Sequence, residues 1–352
     1  MTDNFRSDYW EKCRGINLAT TIKDIAKKTG LGLATISSYL NGGNVREKNR
    51  ILIEEAIEEL HFEVNEIARG LKTNRTKIIG IIIPELNNPF FSEVVAEMED
   101  ILRNHGYATM LCDCRTDEKR EAEAIEFLKK RRVDGVISVP VTREGACFQE
   151  LQESGIPVVT VDRKLEGVDC DCVLVDNRGG TKNAVERLIQ AGHQNIGIIT
   201  GKNDVYTTKE RLLGYFDALE TAGIERDDSL IANGQFTIRG GASALKELVE
   251  KNEKMTAVYV CNYEMMVGAM IEVNELGIRI PEQLSFIGFD NIEFAKACVP
   301  RLSIVTQPIK EIAQETARCM LHRLESRHEG VTKQTISLST GFMEGKSIQA
   351  LN

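Results

Sequence analysis

Apolar residues follow two different patterns along this chain, and the change between them falls near residue 77. Before it, they are spaced for short helices. Thr21 precedes Ile22, Lys23 and Asp24, a cap residue with a carboxylate three positions later, and Ile22, Ile25 and Ala26 give one apolar face. This first helix ends at Gly30. After the tight turn Gly30-Leu31-Gly32, Ile36 and Leu40 mark one face of a second helix, which Asn41-Gly42-Gly43-Asn44 stops. A third runs from about residue 47 to 60 on Ile51, Ile53, Ala56, Ile57 and Leu60. Three short helices around one small core are expected.

Beyond Lys77 the pattern becomes an alternation of apolar runs and amphipathic stretches. Strand-like runs lie at 78–83, 108–112, 135–139, 158–161, 173–175, 196–199, 257–261 and 284–287, with a last one at 334–338. Helical stretches at 91–105, 118–130, 182–191, 209–222, 242–251 and 264–276 separate most of them. Strand-helix-strand repetition predicts parallel sheets with helices on both faces. The strands are too many for one compact doubly wound sheet, so two similar lobes are expected. Ligands of such sheets sit outside the carboxyl ends of the strands, and two lobes facing each other make a cleft there.

Composition adds a partner to this picture. With 42% hydrophobic and 28% charged residues, the 352-residue chain is an ordinary folded one, long enough for a small domain and a large one. Its net charge of -9 argues against wholesale nucleic-acid binding, but the charge is unevenly placed. From Met1 to Lys77 there are thirteen basic and eleven acidic residues, five of the acids in one helical run from Glu54 to Glu63, so the remainder of the chain carries all the excess negative charge. An acidic bulk with a basic N-terminal end is what a tethered DNA-binding head would show. The first twenty residues contain Asp3, Asp8 and Glu11 and no apolar stretch of an export signal, and no later run approaches the roughly 20 apolar residues that span a bilayer. A cytoplasmic location without a membrane partner is expected. Nine scattered cysteines suit reduced thiols, and the pairs Cys112/Cys114 and Cys170/Cys172 lack further ligands in zinc spacing. Neither a metal nor a cofactor is expected.

Catalysis finds no support. No G-x-G-x-x-G follows a strand, no Walker pattern occurs, and His61, His105, His193, His322 and His328 have no metal spacing. A solute-binding protein of a transport system is the stronger alternative, since it shares the two-lobed shape, but it would carry an export signal and lack the head.

The stretch from Thr21 to Ala26, then Gly30-Leu31, Ala34-Thr35-Ile36-Ser37, Asn41 and Ile67-Ala68-Arg69-Gly70-Leu71-Lys72, resembles the head of the lactose-repressor (LacI/GalR) family. The similarity continues through Asn88-Pro89-Phe90-Phe91, Gly192-His193-Gln194, Arg211-Leu212-Leu213-Gly214-Tyr215, Gly288-Phe289-Asp290 and Gln307-Pro308, and so covers about residues 21 to 345. It implies a sequence-specific transcriptional regulator, a repressor, with an all-α helix-turn-helix head and an α/β two-lobed domain like the periplasmic binding proteins. The implied division is an N-terminal extension at 1–20, a head at 21–63, a hinge helix and linker at 64–76, and an effector-binding and dimerisation domain at 77–352. Its first lobe would take about 77–161 and 291–323, its second about 162–290 and 324–350.

Site roles are likewise implied by the resemblance. Leu33 and Ala34 take the base-reading positions, and having no hydrogen-bonding side chain they would read thymine methyls by apolar contact. Thr21, Thr35, Ser37, Ser38 and Asn41 are placed for phosphates or base edges, and Asn44 and Arg50 for the backbone. Gly32 and Ser38 depart from the Ser or Thr and the Arg common there, and Val64 from a proline. A hinge helix capped by Asn65, with Ala68 and Leu71 on one face and Lys72 beside them, would pair across a homodimer on palindromic operator DNA and wedge Leu71 into the minor groove. Helices at 92–103 and 264–276 are the candidate dimer faces, and no leucine-heptad tail suggests a larger assembly. In the large domain the implied effector residues are Phe90, Phe91, Asp162, Thr207, Arg211, Phe236, Asn262, Asp290 and Gln307. Aromatic faces with carboxylates, amides and a guanidinium suit a sugar or a base, and a sugar is expected ahead of a purine, a nucleoside or a phosphorylated metabolite. Tyr263 stands where relatives commonly have an aspartate.

Overall fold

The computed structural model describes residues 20–62, 75–290, 292–326 and 332–351. The chain divides into two units, Met1–Thr76 and Lys77–Asn352.

The described part of the first unit holds α1 (Ile22–Thr29), α2 (Leu33–Leu40) and α3 (Glu47–Glu59). The Thr21 backbone N–H and hydroxyl both donate to Asp24 Oδ2, at 2.9 and 2.7 Å, and so start α1. Gly30, at φ 68°, ends it in the left-handed conformation that costs glycine least. One apolar residue or two from each helix, Ile25, Ile36, Ile53 and Ala56, close the core. An ion pair between Lys28 and Glu59 ties the ends of α1 and α3.

The described residues of the second unit form two six-stranded sheets. In the first, the strands are β1 (Ile78–Ile83), β2 (Ala108–Asp113), β3 (Gly135–Ser138), β4 (Val158–Val161), β5 (Asp171–Val175) and β11 (Thr335–Leu338), in the order β11-β5-β4-β3-β1-β2. In the second they are β6 (Ile196–Thr200), β7 (Ile231–Asn233), β8 (Ala257–Val260), β9 (Ser285–Phe289), β10 (Ser303–Thr306) and β12 (Gly341–Met343), in the order β12-β10-β9-β8-β6-β7. Every pair is parallel except β10 with β12. The same order, second strand outermost and then first, third, fourth and fifth, recurs in both lobes, so each has its switch point beside its first strand.

Helices cover both faces: α4 (Pro89–Asn104), α5 (Glu118–Arg131), α6 (Ala146–Glu153) and α12 (Ile309–Glu325) on the first sheet, and α7 (Asn177–Gln190), α8 (Tyr206–Thr221), α9 (Ile238–Lys251), α10 (Tyr263–Glu275) and α11 (Ile292–Ala297) with the second. The period-2 alternation of β1 shows how two faces are filled. Ile79, Ile81 and Ile83 pack with α4 and α12, whereas Ile78 and Ile82 pack with Leu128 on the opposite side. Gly80 is required there, because the Leu128 side chain occupies the space of a Cβ. No helix among the described residues is long and apolar enough to cross a membrane.

The chain crosses between lobes three times, and the ladders place the crossings differently from the expected ones. β5 pairs with β4 (Val159↔Asp171) and belongs to the first lobe, not the second. β10 pairs with β9 (Ser303↔Ile287), so the segment preceding α12 is in the second lobe. β11 pairs with β5 (Thr335↔Cys172), which returns 335–338 to the first. The pattern also left out α6, α11, α12, β7, β10 and β12. For α12 the helical spacing of Ile312, Ala313, Thr316, Ala317 and Met320, all buried, was a usable signal.

Candidate functional site

On the head, α2 exposes its first turn. Leu33 and Ala34 are exposed, and together with Ser37, Ser38, Asn41, Ile22 and Lys23 they line one open surface concavity. Thr35, Asn44, Thr21 and Arg50 lie outside it. Thr21 serves as the α1 cap, and Asn41 donates from Nδ2 to Ser37 O at 2.6 Å, closing the end of α2. Arg50 is held by its own helix: it donates to Glu47 at 3.2 and 2.5 Å and lies 3.6 Å from Glu54. That pairing holds Arg50 as cation well above the usual range, with the Glu47 hydrogen bond as main cause. The hinge positions Asn65, Ala68, Leu71 and Lys72, and the extension with Trp10, lie outside the described residues.

In the large unit, all nine residues expected to meet an effector line one cavity of about 300 Å³ between the lobes. Their positions follow from the fold. Pro89 opens α4 under the Asn88 cap, whose Oδ1 accepts from Phe90 N, and this sets Phe90 and Phe91 in the first turn. Asp162 follows β4, Asn262 follows β8, Asp290 follows β9 and Gln307 follows β10, so each stands at the carboxyl end of a strand. Asp162, Phe236 and Asp290 hold φ of 65°, 57° and 64°, a conformation few side chains adopt and one that turns each out of its strand direction. Thr207 and Arg211 come from the first two turns of α8.

Arg211 is the organising cation. Its Nε donates to Asn177 Oδ1 at 2.7 Å, its Nη1 to Cys261 O, and the guanidinium lies 3.6 Å from the centre of the Phe289 ring. Asp290 accepts from Gln307 Nε2 at 2.7 Å. Burial pushes the Asp290 carboxyl up to about 6, against the opposing pull of Arg211 and Gln307. Among the described residues Gln307 Oε1 is buried without a hydrogen-bond partner, on a side chain that lines the cavity.

Sequence reasoning missed several lining residues, among them Glu85, Asn88, Arg163, Lys202 and Glu264. Glu264 is the most informative. Its carboxylate accepts from Asn88 Nδ2 of the other lobe at 2.7 Å and from Asn262 Nδ2 at 2.6 Å, a direct link across the cleft. The Asn-Pro pair before α4 was the available signal. Tyr263, one residue earlier, is not a lining residue; it packs edge-on to Phe294 at 5.8 Å.

Burial pushes Glu264 up to about 7 from 4.5, with Glu85 and Asp290 adding repulsion and the Asn88 amide opposing it. A carboxyl whose folded value is raised binds its proton more tightly folded than unfolded. The associated stability is therefore complete below about 4.5 and lost as pH rises through about 7. Melts of the wild-type protein are expected to lose up to about 3 kcal/mol from this group between pH 5 and 8. Glu264→Gln should flatten that slope, and an equal slope in wild type and variant would show that Glu264 does not titrate there.

A head with an exposed helix-turn-helix surface, joined to two Rossmann-like lobes around a polar cavity, defines a ligand-responsive DNA-binding regulator. Comparison with known proteins agrees. Residues 21–65 match the family model for bacterial regulatory proteins of the lacI family, and residues 76–337 match that for periplasmic binding proteins and the sugar binding domain of the LacI family. The chain is 31% identical to the HTH-type transcriptional repressor CytR of Escherichia coli (strain K12), covering 91% of this chain and 94% of that one. It is 32% identical to the repressor PurR of Vibrio atlanticus (strain LGP32), over 94% and 99% of the two chains. The solved complex of the transcriptional regulator CelR with cellobiose superposes with a TM-score of 0.72 at 29% identity, over 93% and 99%. The chain belongs to the LacI family and is a transcriptional regulator.

Proposed function

We propose that this regulator acts in the cytoplasm as a homodimeric repressor, reading a palindromic operator with α2 and responding to a sugar-like effector held between its lobes. The observation that carries the effector reading is the convergence of nine residues, from separate strand and helix ends of both lobes, on one polar cavity with aromatic walls. Phe90, Phe91 and Phe236 offer ring faces to the apolar side of a sugar, while Asp162, Asp290, Asn262 and Gln307 meet its hydroxyls. CelR, bound to cellobiose, shows a relative of the same fold holding a carbohydrate. Asn88 and Glu264 link the lobes across the cavity, so a ligand seated there acts on their relative closure. Only its differential affinity for the two closure states can change DNA binding.

Leu33 and Ala34 read bases by apolar contact, with Ser37, Ser38, Asn41 and Lys23 around them for phosphates. Arg50 reaches phosphate only by leaving Glu47. Leu71 is the minor-groove wedge. Domain limits at 21–63, 64–76 and 77–352 accompany this reading, with the lobes divided as the ladders divide them.

A thermal-shift screen of sugars and nucleobases, followed by gel shift of genomic fragments with and without each stabilising compound, tests the proposal. A bound ligand raises stability by RT ln(1 + [L]/Kd). A compound that stabilises the large unit without altering the gel shift would remove the regulatory link. Operator affinity should also fall steeply with salt, with a log–log slope of several phosphate contacts per dimer. A slope near zero would remove phosphate recognition by the head.

A further inference from the structure

Glu264 is a buried carboxylate that bridges the lobes. It stands in the first turn of α10, in the second lobe, and is 8% exposed. Its Oε1 accepts from Asn88 Nδ2 of the first lobe at 2.7 Å, and its Oε2 from Asn262 Nδ2 of its own lobe at 2.6 Å. Both amides are held in that orientation by other bonds. Asn88 Oδ1 caps α4 by accepting from Phe90 N at 3.0 Å, and Asn262 Oδ1 caps α10 by accepting from Met265 N at 3.0 Å. Each Nδ2 therefore faces the carboxyl.

Charge around this bridge is one-sided. Glu85, from the loop after β1 in the first lobe, and Asp290, after β9 in the second, both repel Glu264. Of the cations lining the cavity, Arg211 is committed to Asn177, Cys261 and Phe289, Arg163 to Pro140 and Asp162, and Arg115 to Asp113. Lys202 is the fourth, and among the described residues none of these four forms an ion pair with Glu264. Acids of the two lobes also oppose each other on α4 and α11, where burial and then the charge of Glu293 push Glu93 up.

A carboxylate buried without a counter-ion is costly to keep ionised, and water relieves that cost once the lobes part. Opening also carries Glu85 and Asn88 away with the first lobe. Burial and the Glu85 repulsion outweigh the single Asn88 bond, so the proton is held more tightly closed than open.

We propose that Glu264 is a proton-dependent latch: the lobes close over the cavity as its carboxyl takes up a proton, and part more readily once that proton leaves. The proton sits on Oε2, beside Asn262, which leaves Oε1 as a carbonyl acceptor for Asn88 and keeps the link between lobes. The inference rests on the cavity being the effector site, since the latch then makes effector affinity rise as pH falls. With the closed carboxyl pushed up to about 7 and the solvated one at its ordinary 4.5, closure gains about tenfold between pH 8 and pH 6. Burial raises Asp290 and Glu93 in the same direction, so substitution at Glu264 is needed to assign the effect.

Hydrogen exchange of the full chain without effector, and calorimetry with ribose, glucose, cellobiose and adenosine, each at pH 6 and pH 8, test the latch. In wild type, amides of 85–92 and 260–266, corrected for intrinsic exchange, should be about tenfold better protected at pH 6, with those of 196–200 unchanged. Any probe that binds should bind about tenfold tighter at pH 6. In buffers of different ionisation heat it should take up about half a proton at pH 7. Glu264→Gln should reduce both ratios to about twofold or less. Glu85→Gln, which keeps the latch but removes the first lobe's repulsion, should move the midpoint of the pH profile downward. Thermal melts establish that both variants are folded. Equal protection at the two pH values in wild type, or a tenfold ratio that survives in folded Glu264→Gln, would overturn the latch. Exchange that responds to pH as expected while no probe binds would overturn the sugar-like reading of the cavity and leave the latch standing.

Discussion

Arg211→Ala is expected to weaken effector binding by at least tenfold to a hundredfold and to leave operator binding at its effector-free level. The guanidinium has three attachments: Asn177 Oδ1, Cys261 O and the face of Phe289. Its charge also opposes the burial that pushes Asp290 up, so its removal drives Asp290 toward the neutral acid and strips the cavity of a charge-assisted acceptor. Hydrogen bonds to charged groups contribute about 1.5–3 kcal/mol each, which corresponds to that range of affinity. Arg211→Lys keeps the charge but cannot make the fork, and should fall between. Asp290→Ala should match Arg211→Ala in effector response. The head is a unit of its own, with its own core of Ile25, Ile36, Ile53 and Ala56, so DNA binding should persist. Titration with a compound found in the thermal screen, beside a gel shift on the same preparation, reads both. Wild-type ligand affinity in the Arg211 and Asp290 variants would place the effector elsewhere.

Asp171→Ala is expected to destabilise the large unit by about 3–5 kcal/mol, the usual cost of leaving one member of a buried ion pair alone. Asp171, at the start of β5, accepts from Arg323 Nε at 2.7 Å, from Arg323 Nη2 at 2.9 Å and from Gln334 N at 2.8 Å. Side-chain exposure is 5% for Asp171 and 16% for Arg323, so water cannot replace the lost partner cheaply. Those bonds clip the end of α12 and the start of β11 onto β5, within the last segment of the chain that belongs to the first lobe. Arg323→Ala should cost a similar amount. The double variant Asp171→Leu with Arg323→Met should recover much of the loss, because an apolar pair leaves no charge behind. Chemical denaturation, followed through the transition of the large unit, measures all three. An unchanged midpoint in either single variant would show that the pair is dispensable.

Local chemistry determined much of this protein. The helical spacing of the head and the short apolar runs of strands such as Ile78–Ile83 came from residue order alone, because a helix face demands apolar groups at its own interval and a strand buried on both faces demands an unbroken run. So did the caps: Thr21 with Asp24 at α1 and Gly30 after it need only neighbours within a few residues. The nine expected effector residues came from the resemblance to the LacI/GalR family, and most of them sit at the end of a strand or the start of a helix, as Phe90 and Phe91 do after Asn88-Pro89.

What the spacing could not determine was which distant segments meet. Whether β5, β10 and β11 join one sheet or the other depends on which strand they pair with, and short segments such as Ser303–Thr306 and Thr335–Leu338 carry nothing in their own spacing that names the lobe. Glu264 and Asn88 are 176 positions apart, and neither looks unusual in its own stretch of sequence. Arg50 reads as a phosphate ligand until the turn of α3 sets Glu47 and Glu54 on its own face. Glu121, on a helix, accepts from Val141 and Thr142 of a loop about twenty residues later, a pairing that neither stretch announces by itself. Spacing along a chain encodes faces, whereas charge pairing and enclosed space arise between faces and were decided by the tertiary fold.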